Sequence, residues 1–408
     1  MLRRNFSFLN RLSHLVFPTL WIFPFIHVQA RKLLRNSTRK RSVLLIAQNH
    51  VAVDYQKDIL ACVKQLPNTH VRSATEWFPA REVSVKTLTQ QLDCPALYSL
   101  LILLRYWDIV IFVNHPHGLG RWLSPQIKCI FINHGIRTGK INNPEGEDGV
   151  FAHRKVIGPF KRILYNKIFV SSYLDQEFVR DTYPHLLDRI EVTGSLMADR
   201  VLAALPRKNV IRSTLDFSAE DFVIHVVSTW GENSLYHTMG QGILREISRL
   251  KYRYKFLFSL HPRYDELGDS KSETRVEILK KAEIAGCAIE TSSNWQQFVA
   301  ASDLVISDHS SVALFHLLVN HPIILIRITE DALIPDSIMH QVSTFSGYLE
   351  SPSEIESEIE KVRSWNDSAN GSELRHRLLS WPQQAEEKHR SAISRIINED
   401  MNDKKRSD

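Results

Sequence analysis

Two doubly wound α/β halves joined by one linker are the fold that the sequence predicts, on three observations. Short apolar, β-rich runs alternate with amphipathic stretches from residue 43 onward. That alternation breaks near residues 203–220 and then restarts. The chain has 408 residues, against roughly 100–200 for a usual domain. Strands covered on both faces read as continuous apolar runs, and β alternating with α implies a parallel sheet clad in helices.

The composition agrees and narrows the class. Hydrophobic residues are 43% and charged residues 24%, with 15 Gly and 16 Pro scattered along the chain, which excludes collagen-like, low-complexity and wholly disordered readings. Cys62, Cys94, Cys129 and Cys287 stand far apart without a CxxC pair, so neither a zinc ribbon nor a disulfide scaffold is encoded and a reducing, cytoplasmic setting fits.

The first element is a basic head, residues 1–42. Residues 1–53 hold nine Lys or Arg and no acid, so the formal net charge of +6 divides into +9 there and −3 over the remaining 355 residues. Leu15–Ile26 is apolar and aromatic but broken by Pro18 and Pro24. It is too short to span a bilayer, which takes about 20 apolar residues. No small-residue cleavage site follows it, as a signal peptide would require. Aromatic residues flanked by cations suit the headgroup layer of an anionic leaflet, so the head reads as a peripheral anchor on the inner face of the membrane. A core-packing segment followed by a solvated linker is the competing reading. Nucleic-acid binding is disfavoured, because the base does not continue into the body and no nucleic-acid motif accompanies it.

The first wound half is expected at 43–205. Its strands are Val43–Ala47, Ile109–Val113, Ile127–Ile132, Lys167–Val170 and Arg189–Val192, and its helices include Tyr55–Leu66, Ala96–Tyr106 and Leu174–Thr182. Pro206-Arg-Lys-Asn209 and Ser213-Thr-Leu-Asp216 then supply turn chemistry for a linker. The second half, 220–345, has strands Phe222–Ser228, Lys255–Leu260, Ala288–Glu290, Leu304–Ser307 and Ile323–Ile326, with helices Gly240–Leu250, Glu273–Glu283, Trp295–Ala300 and Ser310–Val319. A charged, helical tail is expected at 346–408.

Ligands of wound sheets sit outside the carboxyl ends of strands, which makes the strand ends the candidate site. Asn133-His134-Gly135, Thr229-Trp230-Gly231, His261-Pro262-Arg263 and Asp308-His-Ser-Ser311 all stand there. The last runs into a helix, whose unpaired N–H groups and two hydroxyls suit a diphosphate, and equally reads as an N-cap. His134 and His261 follow strands in different halves and so reach one cleft. A histidine there takes a proton from an attacking hydroxyl or, charged, holds a phosphate oxygen. With 18 histidines in the chain, placement alone does not single these two out.

What singles them out is a resemblance alone. Val227-Ser-Thr-Trp230, Leu260-His-Pro262, Ala301-Ser-Asp-Leu-Val-Ile-Ser-Asp-His-Ser-Ser311 and His134-Gly135, with Gly194-Ser-Leu-Met-Ala-Asp-Arg-Val-Leu202 closing the first half, resemble the CDP-glycerol glycerophosphotransferase family of teichoic acid primases and polymerases. The resemblance runs in order from about Leu97 to Ile326. It implies a GT-B fold, with two Rossmann-like domains facing a cleft. It also implies transfer of glycerol phosphate or a related polyol phosphate from a CDP-linked donor to a lipid-linked or polymeric acceptor. By that resemblance His134 is the base and His261 contacts the donor diphosphate. Thr229, Arg263, Asp308, Ser310 and Ser311 line the donor side, and Gly135 and Gly194 the substrate cleft. Three departures bear on the donor: His309 where the family usually has Tyr, Phe315 where it has an acid, and the run Ile136-Arg-Thr-Gly-Lys140.

Alternative readings are a GT-B glycosyltransferase or UDP-N-acetylglucosamine 2-epimerase relative, and an inactive scaffold subunit of a capsule or glycan assembly complex. No clustered acidic metal motif is apparent. No tightly bound cofactor is expected, and a divalent cation, if used, would arrive with the donor diphosphate.

Overall fold

The computed structural model describes residues 40–47, 50–75, 85–97, 102, 107–113, 115, 123, 127–133, 135–139, 150–158, 161–262, 264, 273–290, 294–327, 333–363 and 369–405. The basic head therefore lies outside the described residues apart from its last three positions. Among the described residues, no helix is long and apolar enough to cross a membrane.

The first half contains β1 (Arg41–Ala47), α1 (His50–Lys64), β2 (Thr69–Thr75), α2 (Val85–Leu92), β3 (Ala96–Leu97), β4 (Ile109–Phe112), β5 (Lys128–Ile132), α3 (His153–Val156), β6 (Lys167–Val170), α4 (Tyr173–Thr182), β7 (Ile190–Val192) and α5 (Leu196–Ala204). Its seven strands lie in the order β3-β2-β1-β4-β5-β6-β7, and every pairing is parallel. The order reverses between β1 and β4, the mark of a doubly wound sheet. Alternate residues of β1 serve opposite faces: Val43, Leu45 and Ala47 enter one apolar cluster, and Leu44 and Ile46 another.

The second half runs α6 (Lys208–Thr214), β8 (Val223–Ser228), α7 (Leu235–Met239), α8 (Gln241–Leu250), β9 (Lys255–Leu260), α9 (Arg275–Ala285), β10 (Cys287–Ile289), α10 (Trp295–Ala301), β11 (Leu304–Ser307), α11 (Ser311–Leu318), β12 (Ile323–Ile326), α12 (Ile338–Ser343) and β13 (Gly347–Leu349). Its strand order is β10-β9-β8-β11-β12-β13, again parallel, with the switch between β8 and β11. Local chemistry fixes the helices. In α8, Ile243, Leu244, Ile247 and Leu250 make one buried stripe. Thr274 and Glu277 close a capping box on α9, which ends at Gly286 with φ 101°.

Three expectations are corrected. Ala96–Tyr106 is not a helix from its start, because Ala96 and Leu97 pair with β2 as an edge strand; residues 98–101 and 103–106 lie outside the described set. The 203–220 segment is mostly helical rather than a loop of turns. Its Arg212, 3% exposed, donates to the carbonyls of Ala301, Ala219 and Asp221 and to the Asp303 carboxylate at 2.6 Å. Burial pushes the Asp303 carboxyl up, but the Lys208 ammonium, the Val223 N–H and Arg212 outweigh it and hold the group below its usual range.

The 346–408 segment is the third. It begins with β13 inside the second sheet and continues into α13 (Ile355–Arg363), α14 (Ala369–Leu378) and α15 (Ala385–Lys405). Helix α15 returns to the first half. Lys128 Nζ donates to the Ile396 carbonyl at 2.9 Å, and His389 shares a 3.3 Å hydrogen bond with Thr193. One apolar cluster joins the halves, running from β1 and α5 through α10 and α11 to α14 and α15.

Candidate active site

The carboxyl ends of both sheets carry the candidate residues. After β5, Asn133 is buried, and its amide donates to the Gly135 carbonyl at 2.9 Å. Ser171, at the end of β6, donates to the same carbonyl at 3.2 Å. Two residues on, Arg137 is 6% exposed and pairs with the fully buried Asp175 at 3.4 Å. Its guanidinium also lies 3.5 Å from the Phe178 ring centroid. Asp175 is the capping-box acid of α4, so the loop after β5 is pinned to the start of that helix.

The loop also touches the other half. The Thr138 carbonyl accepts from Met339 N–H at 3.2 Å, and the Gly139 carbonyl accepts from Ile334 N–H at 2.9 Å. Gly139 has φ 83°, and a Cβ there would stand 2.1 Å from Ser337 Cβ. Only glycine fits. A Cβ on Gly135 would lie 3.9 Å from the Ser311 hydroxyl oxygen, so the loop after β5 directly faces the start of α11.

On the second sheet the switch point is held by Asp308. One oxygen of its buried carboxylate accepts from Thr229 N–H at 2.8 Å, Thr229 Oγ1 at 3.0 Å and Leu235 N–H at 2.8 Å. Asp308 and Thr229, both expected to contact the donor, thus contact each other. The carboxylate oxygen braces the ends of β8 and β11, and the Thr229 hydroxyl is turned into the brace. Ser310 is the N-cap of α11, accepting from Val312 N–H at 3.2 Å, while Ser311 opens the helix and is part-exposed. The cap and the diphosphate-binding reading are compatible, because one serine caps while the helix end stays directed at the cleft.

His261 follows β9. Its N–H donates to the Ser228 carbonyl at 3.0 Å, and its ring meets Trp230 edge-on with centroids 6.4 Å apart. Gly194 sits against the C-terminal segment. Its φ is 80°, and a Cβ there would stand 2.8 Å from the Ser380 carbonyl, so it admits the turn that precedes α15. His134 and Arg263 lie outside the described residues. Phe315, at the position of the family acid, is 2% exposed and packs against Trp295 with centroids 4.8 Å apart. A carboxylate would be costly in that apolar setting.

Ser171 and Arg137 are absent from the strand-end candidates drawn from the sequence, and Trp230 stands among them without an assigned role. Ser171 obeys the same strand-end rule that selected the others. Arg137 was legible only as a departure from the family run. Among the described residues, no group of three or more His, Cys, Asp or Glu is arranged to hold a metal ion, and all four cysteines are buried free thiols.

Two doubly wound parallel sheets whose strand ends face one another define the GT-B class, and solved structures bear this out. The wall teichoic acid polymerase TagF matches with a TM-score of 0.58 at 13% identity over 99% of this chain and 99% of that one. The S. aureus MnaA structure with UDP matches at 0.58 and 11% identity, over 89% of this chain and 97% of that one. UDP-GlcNAc 2-epimerase from Neisseria meningitidis matches at 0.53 and 12%, over 87% and 99%. A search of the curated proteins finds no match. The chain belongs to the CDP-glycerol:poly(glycerophosphate) glycerophosphotransferase family, whose model matches residues 28–331. It is a transferase of that family.

Proposed function

We propose that the protein transfers glycerol phosphate from CDP-glycerol to a hydroxyl of a lipid-linked or polymeric acceptor, releasing CMP. The observation that carries this is the approach of the Gly135 loop to Ser311, 3.9 Å from an added Cβ, at the carboxyl ends of both sheets. It supports a donor diphosphate at the start of α11 and an acceptor hydroxyl beside the loop that contains His134. Family membership over residues 28–331 supports the donor class. One of the TagF structures, with a TM-score of 0.58, was soaked with CDPG.

In this reading His134 takes the proton from the acceptor hydroxyl as its oxygen attacks the β-phosphorus. The bond from that phosphorus to the bridging oxygen breaks, and CMP leaves with its electron pair. His261 and the N–H groups at the start of α11 stabilise the charge on the diphosphate. Phosphoryl transfer asks mainly for positioning and charge neutralisation, which these groups supply. Arg263, from its place after His261-Pro262, adds positive charge. A divalent ion, if required, enters with the donor, and chelator sensitivity reads that directly.

The basic head, with nine Lys or Arg in residues 1–53, supports attachment to an anionic inner leaflet where a lipid-linked acceptor would lie. Deleting residues 1–41 is expected to move the protein from sedimenting with anionic vesicles into the supernatant. Unchanged sedimentation would overturn the anchor.

A second reading, use of a UDP-sugar, is favoured by Phe315 at the family acid position. Donor screening separates the two: transfer from CDP-glycerol supports the first, and sole use of UDP-sugars sinks it.

A further inference from the structure

The start of α4 and the turn between α14 and α15 line an open cavity of about 420 Å³. That volume lies in the range of small-molecule sites, about 300–1,000 Å³. Two of its walls are aromatic. Tyr173 is 50% exposed, and its ring centroid stands 6.3 Å from that of Trp381 at an interplanar angle of 57°. The walls are tied together, since Tyr173 N–H donates to Ser380 Oγ at 3.1 Å.

The turn that presents Trp381 is built rather than loose. Trp381 and Gln383 both adopt positive φ, at 60° and 59°. The Asp199 carboxylate accepts from Gln383 N–H at 2.6 Å and Ala385 N–H at 2.9 Å. The Lys388 ammonium lies 3.8 Å from the indole centroid, yet Lys388 is not a lining residue, so it backs the ring from outside the cavity.

The rim carries Glu177 and Arg377, paired at 3.0 Å and each about half exposed, with His376 beside them. A polyanion site would present cations without a carboxylate among them, whereas this rim is balanced in charge and offers donors and acceptors side by side. Apolar faces with a mixed polar edge match a pyranose ring, whose C–H faces are apolar and whose hydroxyls both donate and accept. The cavity is also close to the proposed chemistry. Ser171, two residues before Tyr173, donates to the Gly135 carbonyl, and α14 packs against α11.

We propose that this cavity is a saccharide subsite, in which a neutral pyranosyl unit of the acceptor packs against Tyr173 and Trp381 and is held at its hydroxyls by Glu177 and Arg377. Its role rests on the acceptor reading above; its chemistry does not.

The test is a ligand-observed NMR titration of the full chain, without nucleotide, against methyl β-D-glucopyranoside and its N-acetylglucosamine counterpart. Saturable binding in roughly the millimolar range is expected for at least one glycoside, weakened about tenfold by Tyr173→Ala and by Trp381→Ala, and retained within about twofold by Tyr173→Phe. Competing sn-glycerol 3-phosphate should not displace the glycoside. If Trp381→Ala loses the turn and unfolds, Tyr173→Ala, at a half-exposed position, still decides the matter. Absence of saturable binding to either glycoside, binding indifferent to Tyr173→Ala, or displacement by glycerol phosphate would each overturn the subsite. No donor is present, so failure here leaves glycerophosphate transfer standing, and failure of transfer leaves this titration standing.

Discussion

Asp308→Asn distinguishes a brace from a donor ligand. The native carboxylate oxygen accepts three hydrogen bonds, at 2.8, 3.0 and 2.8 Å, in a residue 1% exposed. A hydrogen bond to a charged acceptor contributes about 1.5–3 kcal/mol, and one to a neutral acceptor about 1 kcal/mol. Replacing the carboxylate by an amide keeps one acceptor oxygen but removes the charge, so roughly 1 kcal/mol is lost per bond and about 3 kcal/mol in all. For a domain of this size each kcal/mol moves Tm by about 2–4 °C, giving a fall of roughly 6–12 °C. Thr229→Val removes only the hydroxyl donor to that charged oxygen and should cost about 1.5–3 kcal/mol. In the double variant the two losses should be less than additive, because they share one bond. Differential scanning calorimetry of the four proteins reads this. If Asp308→Asn melted within about 2 °C of wild type while losing donor binding, Asp308 would be a ligand and the brace argument would be refuted.

Three further outcomes follow from named contacts. Gly139→Ala should lower Tm and loosen the approach of the halves, seen as faster limited proteolysis. Ser337→Gly should restore part of the loss by removing the atom 2.1 Å from the added methyl, and no rescue would refute the steric account. Arg212→Met removes a buried guanidinium from three carbonyls and from the part-exposed Asp303 carboxylate, which keeps Lys208, and should destabilise by about 3 kcal/mol in urea titration; a change under about 1 kcal/mol would contradict it.

Acid should also destabilise the fold. Burial drives His225 down to about 3 and His321 and His389 each down to about 4, while the neighbouring His316 is also held low by burial. Each folded value lies below the unfolded one of about 6.5, so above that pH neither state is charged. As pH falls below it the unfolded chain gains protons that the folded chain refuses, and stability drops by up to about 1.4 kcal/mol per pH unit per histidine. Tm should therefore be flat from pH 7.5 to 7 and fall from 6.5 to 5, with a shallower fall in His389→Gln; an unchanged slope in that variant would contradict the assignment.

Parallel strands covered on both faces were legible, because burial writes itself as runs such as Ile323–Ile326. β2 was not, since Thr-His-Val-Arg-Ser-Ala-Thr exposes His70 and leaves only its last three residues buried. β3 was missed because two residues carry no period, and β13 because it is three residues long and opens on Gly347, with only Leu349 buried. The site was legible as a set of strand ends, which is how Gly135, Ser311, Thr229 and His261 come to one edge. Their division of labour was not. That Asp308 spends an oxygen on residues 73 and 79 positions away leaves no trace in local pattern. Likewise Gly194 admits Ser380, 186 positions downstream, and only the folded chain shows why it lacks a side chain.

The central claim is tested most directly by following label from CDP-[¹⁴C]glycerol into a poly(glycerophosphate) acceptor, with CMP measured in the same reaction. Equimolar incorporation and CMP release are expected for the wild type, with both reduced at least about 100-fold in His134→Ala, as loss of a general base commonly does. Incorporation by His134→Ala equal to wild type would contradict the mechanism, and turnover of UDP-sugars alone would contradict the donor.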